Sequence, residues 1–142
     1  RADLSRVASC ATLDEVGGAL ATEVGDYWRT HYSFGNESKV NAKRLSAASV
    51  QLLVVNAVVP MLYAYGRHRQ NETLIQRAAT LMEELPPEDN TYIRLWKECG
   101  VKAENAADTQ ALIQLHHRYC ERKECLRCRF GYYLLKGGSG SI

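Results

Sequence analysis

The sequence predicts an all-α protein, an irregular bundle of about five to seven helices around one central, buried helix. The first observation is the stretch Val50–Tyr65 (VQLLVVNAVVPMLYAY), in which apolar residues recur every three or four positions. The second is a series of helix-start and helix-stop signals on either side of that stretch. The third is that no segment alternates apolar and polar residues in the way that half-buried strands do.

The central helix is expected to be apolar on every side. Apolar residues form one continuous stripe and also occupy the remaining face: Val50, Leu53, Val54, Ala57, Val58, Met61, Leu62 and Tyr65 on the stripe, with Leu52, Val55, Val59 and Tyr63 beside it. Such a helix is buried on most sides in a soluble protein. The run is also shorter than the roughly 18 apolar residues of a membrane span, so no membrane partner is expected. The side chains predicted to be almost fully buried are Leu53, Val54, Ala57, Val58, Met61 and Leu62.

A proline interrupts this helix. We expect the helix to begin near Ser46 and to end near Tyr65–Gly66, with Gly66 as its C-terminal cap. Because Pro60 has no N–H group and crowds the carbonyl of Asn56, the sequence predicts a kink there.

The segment before the central helix predicts short helices and one loop. Arg1–Ser9 has the pattern of the end of a helix. Thr12 and Glu15 form a capping box, which predicts a helix from Leu13 to about Ala21. The expected elements that follow are a short helical segment Tyr27–Tyr32 capped by Asp26, with Tyr27, Trp28 and Tyr32 as packing anchors, and a polar surface loop Ser33–Lys43.

Three further helices are expected after the central one. Each has a capping residue at its start and a breaker or a loss of periodicity at its end. Their limits are Asn71 to about Leu85, stopped by Pro86-Pro87; Tyr92 to Cys99, ended by Gly100; and Asp108 to about Cys120.

Composition favours a single domain of residues 1–135. The chain has 142 residues, of which 46% are hydrophobic, and this is enough for one core. Residues 136–142 (KGGSGSI) have the composition of a flexible or artificial tail. The chain begins with Arg1 rather than Met, so we expect a fragment or a processed product. The five cysteines, three of them between Cys120 and Cys128, occur without a secretory signal, which favours the reducing cytoplasm.

Several phrases of the sequence, in a fixed order, resemble a known family. They are Tyr27-Trp28-x-x-His31-Tyr32-x-Phe34-Gly35, Asn56-x-x-x-Pro60 with Tyr65-Gly66, Asp108-x-Gln110-Ala111-Leu112, and Tyr119-Cys120-x4-Cys125-Leu126-x-Cys128 with Gly131. This set resembles the C-terminal part of the bacterial family called domain of unknown function 2851, found mostly in Bacteroidetes, up to about Leu135. The resemblance implies that a large N-terminal part is missing here. The family has no established activity, so no catalytic role is transferred to any residue. The missing part is associated with nuclease-like folds, which implies a link to nucleic-acid biology.

The stretch His116–Gly131 (HHRYCERKECLRCRFG) is the candidate for chemistry. Cys125 and Cys128 have the two-residue spacing by which two thiolates reach one metal ion, and Cys120 adds a third ligand. The candidates for the fourth ligand are His116, His117 and Cys99. Thiolate ligands suit zinc or, alternatively, an iron–sulfur cluster. Two other interpretations remain open, namely inert buried thiols and a redox or disulfide pair.

The same stretch is basic. Between Arg118 and Arg129 five basic residues stand against two acidic ones, for a net charge of +3: Arg118, Arg122, Lys123, Arg127 and Arg129 against Glu121 and Glu124. Basic side chains around an ordered turn bind phosphates, so a weak nucleic-acid-binding edge is one interpretation, and a solvated face is the other. The whole chain carries only +2, which gives no independent support for a polyanionic partner.

Two functions from different classes follow. The first is a non-enzymatic helical accessory or interaction domain that packs on the N-terminal part of the same protein, with a possible structural metal site. The second is part of a hydrolase or nuclease whose catalytic residues lie in that N-terminal part, with this chain contributing the basic edge. No carboxylate pair, nucleophile elbow or phosphate loop is recognisable, so an enzyme complete within these residues is not expected.

Overall fold

The structure is a computed structural model that describes residues 4–10, 12–21, 23–41 and 43–137. Helices make up most of it, and the predicted all-α class is confirmed. The chain divides into two compact units, Arg1–Leu85 and Pro86–Ile142. Most of the predicted tail, residues 138–142, lies outside the described residues.

The first unit begins with short elements. They are α1 Leu4–Val7, α2 Leu13–Leu20, α3 Asp26–Thr30, β1 His31–Ser33 and β2 Asn36–Glu37. The capping prediction for α2 is confirmed, because the Thr12 hydroxyl accepts a hydrogen bond from the Glu15 N–H at 3.2 Å.

The surface loop predicted over Ser33–Lys43 contains part of a short β-hairpin, so the expectation that no segment forms a strand is wrong. Strands β1 and β2 pair antiparallel, with His31 opposite Glu37. Gly35 makes the tight turn possible because it adopts a φ of 77°, where a side chain is strained. The two strands are three and two residues long, too short for an alternating pattern to be visible in the sequence.

One continuous helix, Ala47–Arg69, dominates the first unit. It consists of α4 Ala47–Leu53, a π-helical turn π1 Val54–Val58, and α5 Val59–Arg69. The Ser46 hydroxyl caps its start by accepting from the Ser49 N–H at 3.1 Å. The interruption predicted at Pro60 takes the form of π1, which directly precedes the first turn of α5 and places the proline there. The Asn56 side chain donates to the Leu52 carbonyl at 2.9 Å.

The prediction that this helix is buried on most sides is wrong. Its buried stripe is Val54, Val58, Leu62 and Gly66, a strict spacing of four, joined by Val55. Leu53 is 39% exposed, Ala57 is exposed and Met61 is half-buried. In a regular α-helix a stripe spaced by four residues drifts by about 40° per step. A π-helical turn contains more residues than an α-helical turn, so π1 offsets part of this drift. The buried residues are therefore not the ones that regular α-helical periodicity predicts.

Close packing of α5 against α6 (Glu72–Glu84) explains why Gly66 lies inside the helix and is not its cap. A Cβ atom at Gly66 would lie 2.9 Å from the Ile75 Cγ1 atom and 3.1 Å from the Ile75 backbone nitrogen. The helix instead ends at Arg69, where Gln70 adopts a left-handed conformation. The predicted cap of α6 is confirmed, with the Asn71 side chain accepting from the Leu74 N–H.

The second unit contains α7 Thr91–Glu98, α8 Ala106–Leu115, a π-helical turn π2 His116–Cys120, and α9 Arg129–Leu135. Asp108 was expected to cap α8, but Asn105 is the cap and accepts from the Asp108 N–H at 2.9 Å. Asp108 instead accepts from the Glu104 N–H. Helix α7 packs on α8, and the Trp96 indole donates to the Leu112 carbonyl at 3.2 Å.

The contrast between Leu62 and Leu53 provides the first prediction. Leu62 is fully buried, so Leu62→Ala should lower the free energy of unfolding by about 2–5 kcal/mol. Leu53→Ala should lower it by only about 1 kcal/mol, because that side chain is partly in water already. Urea denaturation of both variants measures the difference. Equal losses would contradict the buried stripe described above.

Candidate functional site

The backbone of the cysteine turn, residues 116–131, is held by several local hydrogen bonds. Hydrogen bonds of π-helical spacing continue past π2. The Glu121 N–H donates to the His116 carbonyl at 3.0 Å, and the Glu124 N–H donates to the Tyr119 carbonyl at 2.9 Å. Lys123 has a φ of 54° and reverses the chain. Gly131 allows α9 to approach the turn closely, because a Cβ there would lie 2.6 Å from the Cys125 carbonyl oxygen. The turn is therefore ordered by backbone contacts of its own.

The three thiols of the turn lie in different environments. Cys128 is 5% exposed, whereas Cys120 and Cys125 are exposed. Partial burial raises the pKa of the Cys120 thiol, and the negative charges that Cys128 and Cys125 carry when ionised raise it further. A raised pKa keeps Cys120 protonated at neutral pH, which makes it a poor nucleophile in this arrangement.

The two histidines of π2 contact a carboxylate and a tyrosine. His117 Nδ1 donates to Glu121 Oε1 at 3.0 Å, and His116 Nε2 lies 3.8 Å from the same oxygen. The Tyr92 ring, on α7, lies 4.8 Å from each imidazole. The hydrogen bond from His117 holds the pKa of Glu121 below its ordinary value. Sequence reasoning missed Glu121 and Tyr92 as partners of the histidines.

The predicted metal ligands do not form a complete site in this conformation. Within the part of the chain that the structure describes, no three His, Cys, Asp or Glu side chains are arranged to hold an ion. Cys99, the ligand proposed to join two helices, is exposed at the end of α7. Binding of zinc or of an iron–sulfur cluster by Cys120, Cys125 and Cys128 therefore stays a prediction from the sequence.

All five cations of the predicted nucleic-acid edge reach solvent. The exposed residues are Arg118, Arg122, Lys123, Arg127 and Arg129. Arg127 pairs with Glu124 at 3.3 Å, and such an exposed pair is weak enough for a phosphate to compete with it. The edge remains available as a phosphate-binding surface.

The long helix exposes an apolar stripe that the sequence analysis expected to be buried. We define the open face as the exposed residues spaced along one side of this helix: Leu52, Leu53, Asn56, Ala57, Pro60, Tyr63 and Ala64. Leu52 is 57% exposed and Tyr63 is 51% exposed. Asn56 is the one polar member. Contiguous exposed apolar stripes are a common feature of interaction surfaces.

A second exposed surface lies on α3 and the β1–β2 hairpin. Tyr27, Trp28 and Tyr32 were expected to anchor the core, but all three are exposed, and Phe34 is 81% exposed. The prediction failed because aromatic residues were assumed to be buried by their size. The polar residues between and after them, together with the turn glycine Gly35, were the available signal that this segment lies at the surface.

The long helix also meets a length and composition test for membrane spans. It has 23 residues, and its most apolar 18-residue window has a mean hydropathy of 1.7 and is 22% buried. Core helices of soluble proteins satisfy the same test.

Comparison with known families gives one match. The model of a family described as "Protein of unknown function (DUF2851)" matches residues 2–91, more than half of the chain. The chain belongs to the DUF2851 family. No curated protein and no solved structure matches it. The match includes α3, the β1–β2 hairpin, the long helix and α6, and it ends at the first residue of α7. The resemblance of residues 92–135, which contain the cysteine turn of this DUF2851 protein, stays a prediction.

Replacing Glu121 tests the histidine–carboxylate contact. Because the folded-state pKa of Glu121 lies below its ordinary value of 4.5, the contact stabilises the fold above about pH 4.5 and is lost as the pH falls through the folded-state pKa. Glu121→Gln should therefore be less stable than the unmodified chain at about pH 6, with a smaller difference at about pH 3. Urea midpoints at the two pH values measure this, with Glu98→Gln, exposed at the end of α7, as the control. A difference that is independent of pH would contradict the contact.

Proposed function

We propose that this chain is a non-enzymatic helical interaction domain of a bacterial, cytoplasmic DUF2851 protein. In this proposal the chain is the C-terminal part of a longer protein. Its open face docks on the N-terminal part of that protein. The single observation that supports this proposal is the exposure of apolar side chains along the helix that dominates the first unit, with Leu52 and Tyr63 more than half in water. Covering them stabilises a complex by about 25 cal/mol for each Å² of apolar surface removed from water.

The arrangement of α6 favours a protein partner over a membrane. Helix α6 packs along α5, the second half of the long helix. It carries exposed acidic side chains at both of its ends, namely Glu72, Glu83 and Glu84. A bilayer around the long helix would have to surround these carboxylates as well, and each one costs several kcal/mol in hydrocarbon. An aqueous protein interface carries no such penalty.

Charge substitutions on the open face test the docking proposal. The double variant Leu52→Lys/Tyr63→Lys should fold, since both side chains are exposed. It should lose binding to the N-terminal remainder of the protein, expressed separately, by at least about tenfold, because one buried unpaired charge costs more than about 1.4 kcal/mol. Isothermal titration calorimetry measures the affinity, and circular dichroism checks the fold.

Leu135→Lys provides the matched control, because Leu135 is 65% exposed in α9, away from the open face in sequence and in the other unit. The control should bind as the unmodified chain does. Unchanged affinity in the double variant would overturn the proposal. Self-association of the isolated chain that the double variant abolishes would instead assign the open face to a second copy.

We also propose that the cysteine turn binds one structural zinc ion through Cys120, Cys125 and Cys128. The spacing of the three cysteines supports this, because two thiolates separated by two residues can reach one ion and Cys120 adds a third. Cys128 is buried and offers a fixed ligand, whereas the two exposed thiols have room to move toward it. The fourth ligand would be His116, His117 or Cys99, and His116 and His117 would first have to leave Glu121. A metal bound only by the folded state stabilises that state.

Metal analysis of protein purified without chelator tests the zinc proposal. We expect about one zinc ion for each chain, and a chelator should lower the melting temperature. Cys125→Ser should reproduce the effect of the chelator, whereas Cys10→Ser, in the other unit, should not. Zinc-free protein whose melting temperature is unaffected by both added zinc and chelator would contradict the proposal. A visible charge-transfer absorption with iron present would assign the iron–sulfur alternative.

A second candidate function is supported by the exposed cations of the cysteine turn. In this alternative the chain is part of a hydrolase or nuclease whose catalytic residues lie in the N-terminal part, and Arg118, Arg122, Lys123, Arg127 and Arg129 provide a weak, nonspecific phosphate contact. Binding of this kind weakens steeply as the salt concentration rises.

A further inference from the structure

The exposed aromatic residues of the first unit form one preorganised cluster. The Tyr27 ring stacks on the His31 ring with centroids 3.9 Å apart and planes 12° apart. The Trp28 ring meets the edges of Tyr27 and of Phe34, in each case at a centroid distance of 5.1 Å. We refer to residues 26–44, which contain this cluster, as the aromatic hairpin. Phe34 lies at its turn and leaves most of its surface free.

Hydrogen bonds fix the cluster before any ligand binds. The Tyr27 hydroxyl accepts from the Gly35 N–H at 3.0 Å, which ties the turn to α3. The Ser38 N–H donates to the Thr30 carbonyl at 2.6 Å, and the Asn41 N–H to the Arg29 carbonyl at 3.0 Å. A ring that is held in place loses little conformational entropy when a ligand stacks on it.

The same segment carries positive charge. Residues 26–44 contain four cations and two acids, for a net charge of +2: Arg29, Lys39, Lys43 and Arg44 against Asp26 and Glu37. Lys43 Nζ lies 3.7 Å from the centroid of the Tyr32 ring and donates to the His31 carbonyl. Arg29 and Arg44 line one surface cavity of about 290 Å³ together with Asn41.

The acidic partners of these arginines are weakly held. Arg29 lies 3.8 Å from Asp26, and Arg44 lies 3.9 Å from Glu23, with all four side chains at least half exposed. Ion pairs of this length and exposure contribute about 0–1 kcal/mol, so a phosphate group can displace the carboxylates.

From these observations we propose that the aromatic hairpin binds single-stranded nucleic acid. An unpaired base stacks on Phe34 beside Trp28, and the cations of the segment contact the phosphates. Proteins that bind single strands without sequence preference combine two elements, aromatic rings with a free face and basic side chains. This site is separate in sequence from the open face and from the basic edge of the cysteine turn, so it goes beyond the function proposed above.

The polar residues around the rings favour a nucleic acid over a lipid surface or a protein. Ser33, Asn36 and Asn41 are exposed within the same hairpin, and Glu37 is an exposed carboxylate there. A segment that enters a bilayer would carry these groups into a region with few partners for them. Amide and hydroxyl groups beside a stacking ring instead hydrogen-bond to base edges and sugars.

Fluorescence anisotropy of the 142-residue chain with a labelled oligothymidylate of about 15 nucleotides tests the proposal at low salt. Phe34→Ala should weaken binding at least about fivefold, which corresponds to the loss of about 1 kcal/mol of stacking. It should leave affinity for an abasic strand of equal length unchanged, because that strand has phosphates but no bases. The double variant Lys39→Gln/Arg44→Gln should weaken binding to both strands and reduce the salt dependence.

Two controls separate this site from the rest of the chain. Tyr133→Ala removes an aromatic ring that is 45% exposed in α9 and should bind as the unmodified chain does. Arg122→Gln/Arg127→Gln alters the cysteine turn and should leave the effect of Phe34→Ala intact. Thermal melts confirm that each variant is folded, which is expected for Phe34→Ala because that ring is 81% exposed.

Three results would overturn the proposal. The first is the absence of oligothymidylate binding at low salt. The second is a folded Phe34→Ala variant that binds as tightly as the unmodified chain. The third is binding to vesicles of anionic phospholipid that depends on Phe34 while oligothymidylate binding does not, which would assign the hairpin to a lipid surface. None of these results bears on docking through Leu52 and Tyr63, so the two proposals fail independently.

Discussion

The close contact between α5 and α6 at Gly66 is the constraint on which the first unit depends. Only a residue without a side chain fits there, because a Cβ atom would lie 2.9 Å from Ile75. The contact fixes which side of the long helix faces α6, and the π1 turn keeps Val54, Val58 and Leu62 on a stripe leading to Gly66. Once that side is buried, the opposite side must face outward. The open face is therefore a direct consequence of the way the core is packed.

The exposed surfaces of the first unit differ in chemistry. The open face is a nearly continuous apolar stripe with one polar member, Asn56, which suits another folded polypeptide. The aromatic hairpin instead combines rings with amides, hydroxyls and cations, which suits a ligand with both flat bases and phosphates. Both surfaces lie within residues 2–91, the region that identifies the chain as a DUF2851 protein. Substitutions on these two surfaces therefore test the function of the region that the family model matches.

The cysteine turn shows how a local hydrogen bond competes with metal binding. A neutral imidazole is a good zinc ligand, but His117 Nδ1 already donates to Glu121, which would have to be displaced. Of the three thiols, Cys120 and Cys125 are exposed and Cys128 is buried. In this arrangement the turn is stabilised by its wide backbone turns and by the close approach of Gly131 to Cys125.

The sequence by itself determined the helical class, the family and the caps at Thr12, Ser46 and Asn71, because helix periodicity, capping side chains and family motifs are local signals. It also placed three thiols in one short segment. It did not determine which face of the long helix is buried, because a helix that is apolar all round contains no information about which side has a neighbour. That choice was made by the fit of Gly66 against Ile75 and by the π1 turn, contacts that exist only in the folded chain. In the same way the tertiary structure decided that the Tyr92 ring of α7 lies 4.8 Å from the rings of His116 and His117.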